Sequence, residues 1–303
     1  TGRDPDDYIP MQKIDPMYST YFGAKAEEKY DISSDLVELM KTLENISEED
    51  SKGFLNYLQE IYQRYLVAKN HFLQRPFRNF TDFYNPNTIR QMLKLKTFDS
   101  ADHFIGKYVK NERIKQILSF QTLYIGVSPY NGPSLYTIIP MIEMLYGVWF
   151  IKGGMYTMAS SMERLFKELG GKVYYNASVD EVLIKDQQAY GIRVKGKEVL
   201  SDFVMCNADF PYAMKNLVKD TKSKGKYTDK KIDSMKYSCS CFVMYLGMDR
   251  KYDELDNVHN FFITEELEKN LTDIFDGNKL EQPSFYVYVG SKLDPSLAPE
   301  GKG

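Results

Sequence analysis

Two carboxylates stand in apolar surroundings where a proton could be moved. Asp82 lies in the aromatic-rich run FRNFTDFYN, residues 77–85, which also holds Arg78 and follows Arg75. Opposite charges nearby favour the ionised carboxylate. Glu143 lies in the most apolar run of the chain, Ser134 to Ile151. Burial there raises a carboxyl pKa toward the range useful for acid–base work. Asp82, Arg78 and Glu143 are the candidate acid–base group, with Asp82 ahead because its loop looks like the wall of an apolar tunnel. A structural salt bridge or a solvated helix face also accounts for each.

Gly153 and Gly154 follow a short apolar run and open a helix. The first N–H groups of a helix lack internal partners, and glycine lets a ligand approach them closely. A plain tight turn is the simpler reading of the pair taken alone.

The elements around these residues follow from periodicity. Met155, Met158, Met162, Leu165, Phe166 and Leu169 recur at steps of three and four and share one helix face. Gly170 and Gly171 stop that helix. Lys172–Tyr175, Val179–Ile184, Gly191–Val194 and Val199–Met205 read as strands. Upstream, residues 1–30 read as extended strand and loop, and 31–75 as helices capped at Ser33 or Ser34 and again at Ser47. Residues 87–120 read as three short helices rich in basic residues: Arg90, Lys94, Lys96, Lys107, Lys110, Arg113 and Lys115. A basic amphipathic surface suits an anionic membrane, although a solvated charged face has the same pattern. The run from Ser134 is too short to span a bilayer and reads as a buried helix lining a lipid-like pocket. Downstream, Pro211–Val218 is a short helix, Lys219–Asp233 an exposed loop, and Cys239–Met248 a strong strand. Asn260–Ile263 is a strand, Thr264–Phe275 a helix capped by Thr264, and Phe285–Val289 a strand.

The totals narrow the function classes. A net charge of −3 over 303 residues, without a basic stripe, argues against nucleic-acid binding. Three cysteines, Cys206, Cys239 and Cys241, form no disulfide framework, and the latter two read as packing residues. His71, His103 and His259 sit in no metal spacing, so no metal site is expected.

The long string IKGGMYTMASSMERLFKELGGKVYYNASVDEVLI, residues 151–184, followed by FVMCNADF, resembles the flavin domain of bacterial carotenoid desaturases. These are the phytoene and dehydrosqualene (4,4'-diapophytoene) desaturases of the amine-oxidase-like flavoprotein superfamily. Residues 120–155 and the block SFYVYVGSKLDPSLAPEG, residues 284–301, carry the same resemblance. It is collinear and spans nearly the whole chain. The family's N-terminal G-x-G-x-x-G fingerprint and its C-terminal flavin segment have no counterpart, so an internal fragment of a larger enzyme is expected.

The resemblance implies an α/β fold of FAD/NAD(P)-binding type. A flavin-domain remnant at 151–218 would be flanked by a mixed-sheet and helical substrate domain from 1–150 and 219–303. It implies FAD as cofactor, near Gly153, Gly154, Met155, Val179, Asn207, Ala208 and Asp209, with Val179 meeting the adenine side through its backbone. Asn207 and Asp209 also read as ordinary turn and cap residues. The implied activity is desaturation of a long apolar isoprenoid or carotenoid precursor by a cytoplasmic, peripherally membrane-associated enzyme. The alternatives are a non-catalytic membrane-peripheral isoprenoid-binding module, or a carotenoid oxygenase or isomerase on the same scaffold.

Overall fold

The computed structural model of the protein describes residues 2–95, 98–235, 237 and 240–303. Lys96 and Cys239 lie outside them. The chain opens with three strands, β1 (Met11–Ile14), β2 (Tyr18–Phe22) and β3 (Glu28–Ile32). Helices follow: α1 (Leu36–Ile46), α2 (Glu48–Ala68), α3 (Phe80–Phe83), α4 (Pro86–Leu95), α5 (Ala101–Ile105), α6 (Glu112–Ile117) and α7 (Ile138–Tyr146). β4 (Val148–Ile151) and α8 (Tyr156–Glu168) frame the glycine pair. Next come β5 (Val179–Lys185), β6 (Gln188–Val194), β7 (Lys197–Leu200), α9 (Phe210–Tyr212) and α10 (Asp229–Asp233). β8 (His259–Ile263), α11 (Leu267–Asp276) and β9 (Phe285–Tyr288) close the order. This is a mixed α/β fold.

The chain forms two compact units, Thr1–Ser161 with Cys239–Gly303, and Met162–Ser238. In the first, β2 is buried along its whole length because it is paired on both sides, antiparallel to β3 and parallel to β8. β9 completes the sheet order β3-β2-β8-β9. Side chains alternate across a strand, so Tyr18, Thr20 and Phe22 share one face. On that face Tyr18 and Phe22 pack with Phe54, Tyr57 and Ile61 of α2 and with Phe104 and Ile105 of α5. β1 pairs with β4 in a separate two-stranded sheet. The second unit is built on the antiparallel meander β5-β6-β7.

Helix starts follow local side-chain chemistry. Ser47 caps α2, accepting from the Asp50 N–H, as its position before an acidic first turn predicts. The cap of α1 is Asp35, not Ser33 or Ser34; its Oδ1 accepts from Val37 and Glu38 N–H. Ser33 instead accepts the Asp35 N–H. α11 begins at Leu267, and the Thr264 N–H is held by Ser284 Oγ, so Thr264 is no cap. Two expected strands are absent: Lys172–Tyr175 and the described part of Cys239–Met248 are irregular. Phe242, Val243, Met244, Tyr245 and Leu246 are exposed, as is Cys241, which is therefore not a packing residue. β7 stops at Leu200, and α10 occupies the end of the expected loop 219–233. The predicted apolar stripe on α8 forms one face, but Met155, Met158, Met162, Phe166 and Leu169 are exposed.

Gly53 sits inside α2, where helix propensity alone favours alanine by about 1 kcal/mol. A Cβ there would meet the Tyr108 carbonyl oxygen at 1.9 Å. The same loop is tied to α2 by Asp50, whose oxygens accept the Lys110 and Asn111 N–H groups, each at 2.7 Å. Neither neighbour can yield, so sterics outweigh propensity. Gly53→Ala is expected to destabilise the protein by about 2–3 kcal/mol, measured as a lower urea midpoint. Equal or higher stability would contradict this packing.

Candidate functional site

Glu143 projects from α7 into a small polar cluster in the first unit. The 3₁₀ segment Phe120–Ile125 supplies Gln121 and Tyr124, and β2 supplies Tyr18. Gln121 Nε2 donates to the Tyr18 hydroxyl at 2.8 Å and to Glu143 Oε2 at 3.4 Å. The Tyr124 hydroxyl also hydrogen-bonds the Glu143 carboxylate. Burial pushes the Glu143 carboxyl up to about 7, while Gln121 and Tyr124 pull it down. Tyr18 is raised well above its usual range by burial and by the Glu143 charge, so it stays a neutral hydroxyl. Gln121 is fully buried, and its Oε1 has no hydrogen-bond partner among the described residues.

An aromatic wall adjoins the cluster. Tyr18 meets Phe120 and Phe261 edge-on, and Phe261 stacks on Tyr286 at 4.7 Å. The Tyr286 hydroxyl lies 2.6 Å from His259 Nδ1, and burial keeps His259 below its usual pKa. Beside Glu143, α7 exposes Ile142, Leu145 and Tyr146. A carboxyl titrating near neutrality is thus set among apolar and aromatic surfaces. That arrangement can exchange a proton with an apolar ligand while neighbouring hydroxyl and amide groups hold the carboxylate's orientation.

Asp82 is placed differently. Its Oδ2 accepts the Arg78 and Asn79 N–H groups, each at 2.9 Å, at the start of α3. Those two backbone donors hold its carboxyl below the usual range, and the Arg75 charge contributes less than either. The expectation that the guanidinium groups of Arg75 and Arg78 keep Asp82 ionised is corrected: Arg78 contributes its backbone N–H. Backbone capping is the work the Asp82 carboxylate does here, and its hydrogen bonds stay within its own loop.

The glycine turn is geometrically special. Gly153 and Gly154 both have positive φ, +82° and +84°. Only glycine takes that conformation freely. The Gly154 N–H closes the turn on the Ile151 carbonyl, and the Gly153 N–H donates to Asp294 Oδ2. Neither glycine N–H is therefore left for a ligand. At this turn the N–H groups of Met155 and Tyr156, where α8 begins, have no partner among the described residues. In the second unit, Val179 is the first residue of β5, paired with Val194. Asn207 and Ala208 are exposed and irregular, and Asp209 caps α9 by accepting the Tyr212 N–H at 3.4 Å.

Sequence reasoning singled out Glu143; it did not single out Gln121 and Tyr124, which the structure sets beside it, or Tyr156 and Asp294, which it sets at the glycine turn. A glutamine inside an apolar segment, FQTLYI, was the available signal for Gln121, because a buried amide must find partners.

No protein-family profile matches the chain. It is 43% identical over 302 residues to a 4,4'-diapophytoene desaturase (4,4'-diaponeurosporene-forming) of Staphylococcus haemolyticus, covering 99% of this chain and 60% of that protein. It is 41% identical over 303 residues to the protein of the same name from Staphylococcus aureus strain Newman, again covering 99% and 60%. The chain thus spans 60% of the length of these curated relatives. Among solved structures, an oxidoreductase from Methanosarcina mazei matches with TM-score 0.57 at 16% identity, over 97% of this chain and 59% of that one. A protein from Pyrococcus furiosus matches with TM-score 0.55 at 16% identity, over 97% and 58%. At that identity the structural likeness concerns the fold.

Proposed function

The chain is a homologue of the 4,4'-diapophytoene desaturases, and on that premise we propose that it serves an FAD-dependent desaturase of carotenoid biosynthesis. The substrate would be a long isoprenoid precursor, 4,4'-diapophytoene (dehydrosqualene) or phytoene. The observation that carries the reading is Glu143, held by Gln121 and Tyr124 beside the aromatic wall.

Desaturation removes a hydride and a proton from adjacent carbons. FAD, when bound, supplies the hydride acceptor. The chain's own residues do the rest. Glu143, ionised above about 7, takes the proton and stabilises positive charge developing on the polyene. Gln121 and Tyr124 orient its carboxylate. Phe261 and Tyr286 lie against the chain of the substrate, and the buried Tyr18 and Phe120 back them and exclude water. Residues 151–218 contribute the cofactor side and the flanking residues the substrate side. The glycine conformations and the donors of Met155 and Tyr156 fit an anionic cofactor group at the start of α8. Gly153, Gly154 and Met155 would line that position; Val179, Asn207, Ala208 and Asp209, in the second unit, keep the cofactor role that the family resemblance implies for each.

A fully apolar substrate has to come from a lipid phase, and we place the membrane contact on α4. No helix among the described residues is long and apolar enough to cross a membrane. The basic residues from 107 to 115 are engaged internally. Lys107 pairs with Asp99, Lys110 Nζ donates to the Gly106 carbonyl, Arg113 binds Glu28 and Glu265, and Lys115 binds Asp102 and Glu112. By contrast, α4 exposes Ile89, Met92 and Leu93 and carries Arg90 and Lys94. Apolar anchors beside cations suit an anionic bilayer surface. Ile89→Asp with Leu93→Asp should abolish co-sedimentation with phosphatidylglycerol vesicles. Charge reversal at Lys107 and Lys110 should leave it unchanged, and the opposite pattern would overturn the placement.

The reading as a whole is tested by a full-length protein carrying this sequence, supplied with FAD and 4,4'-diapophytoene in such vesicles. Conversion to longer-wavelength polyenes is expected. Binding of the substrate without conversion would favour the passive isoprenoid-binding module.

A further inference from the structure

We infer that Asp294 is a positioning residue for the cofactor turn, an inference that rests on the flavin reading above. Asp294 lies 141 residues from Gly153 in sequence, yet its Oδ2 accepts the Gly153 N–H at 2.7 Å. Its Oδ1 accepts from Ser296 twice, from the N–H at 3.0 Å and from the hydroxyl at 2.6 Å. One oxygen shapes the carboxylate's own turn, Pro295–Leu297, and the other fastens that turn to the glycine pair. Leu297 follows in contact: its Cδ2 lies 3.6 Å from where a Cβ on Gly154 would be. Two sequence blocks far apart are thereby locked into one local structure.

The lock has a direct consequence for ligand binding. Gly153 would otherwise offer a free donor and a turn with two nearly unrestricted residues. Asp294 consumes that donor and fixes the peptide plane between Lys152 and Gly153, on which the glycine pair turns. The Met155 and Tyr156 N–H groups are then the ones presented at the helix start. A carboxylate at this point has a second possible effect, since its charge would compete with an anionic ligand for the positive end of α8. The two roles predict opposite outcomes. Positioning needs only an acceptor oxygen, so asparagine can substitute. Competition needs the charge, so removing it would tighten binding.

The experiment compares wild type, Asp294→Ala and Asp294→Asn in the full-length protein. FAD affinity is read from flavin fluorescence, and hydrogen exchange is read at the Gly153 amide. The expected result for Asp294→Ala is an FAD Kd raised about tenfold or more, as for loss of one charge-assisted hydrogen bond, together with faster Gly153 exchange. Asp294→Asn should restore affinity to within about threefold by keeping the acceptor. FAD binding unchanged or tightened in Asp294→Ala overturns the role, as does failure of asparagine to rescue. Wild-type protein that binds no FAD would overturn the flavin reading itself, and this role with it.

Discussion

Replacing Glu143 by glutamine is expected to lower kcat by about 10²–10⁴-fold, the usual weight of a positioned general base. The fold and the FAD content should survive. Glutamine keeps the size of the side chain and an oxygen that accepts from Gln121 and Tyr124. It cannot accept the substrate proton or offer a full negative charge to the developing cation. The linkage sign supports survival of the fold. A carboxyl raised from 4.5 to about 7 gives its full contribution to stability below the unfolded value. That contribution is lost as pH rises through the folded value, because the unfolded chain ionises first. Glutamine removes this loss, so the variant should be at least as stable as the parent above pH 7. Asp82→Asn is the instructive contrast. Asparagine retains an oxygen for the Arg78 and Asn79 N–H groups, so turnover should change little. Near-normal turnover in both variants, with flavin content intact, would show that neither carboxylate does the acid–base chemistry.

Gly154→Val is expected to abolish FAD retention. A valine Cβ would meet Leu297 only at ordinary contact distance, so crowding is not the cause. The cause is the backbone. A φ of +84° is strongly disfavoured for a β-branched residue, and the turn would relax to another conformation. The Met155 and Tyr156 N–H groups would then point elsewhere. Gly154→Asn should retain more flavin, because asparagine tolerates positive φ better. A valine variant with full yellow colour and normal activity would contradict the role of the turn.

What the sequence revealed depended on how local the determining contacts are. The start of α2 and its Ser47 cap are written within a few residues, and they are found where expected. The apolar stripe of α8 was equally legible, but its exposure was not, because periodicity reports a face and not what covers it. The run 240–248 has strand-like residues, yet a strand exists only through hydrogen bonds to a neighbour. Within that run, only Met248 meets another described backbone segment, at Gly303. The site divides in the same way. Glu143 was visible as one charge in an apolar run. Its partner Gln121 reaches Tyr18 across 103 residues, and Asp294 reaches Gly153 across 141. No spacing rule connects such residues. Asp82 misled for the opposite reason: its nearby arginines were conspicuous in sequence, whereas the backbone N–H groups that hold it are carried by every residue.

The central claim is that Glu143 ionises near neutrality and removes the substrate proton. Its most direct test is the pH dependence of kcat in the FAD-loaded full-length protein, with wild type and Glu143→Gln measured side by side. The account predicts that wild-type kcat rises with pH through about 7 to a plateau, and that the inflection vanishes in the glutamine variant along with most of the rate. The same inflection persisting in Glu143→Gln at an undiminished rate would contradict it.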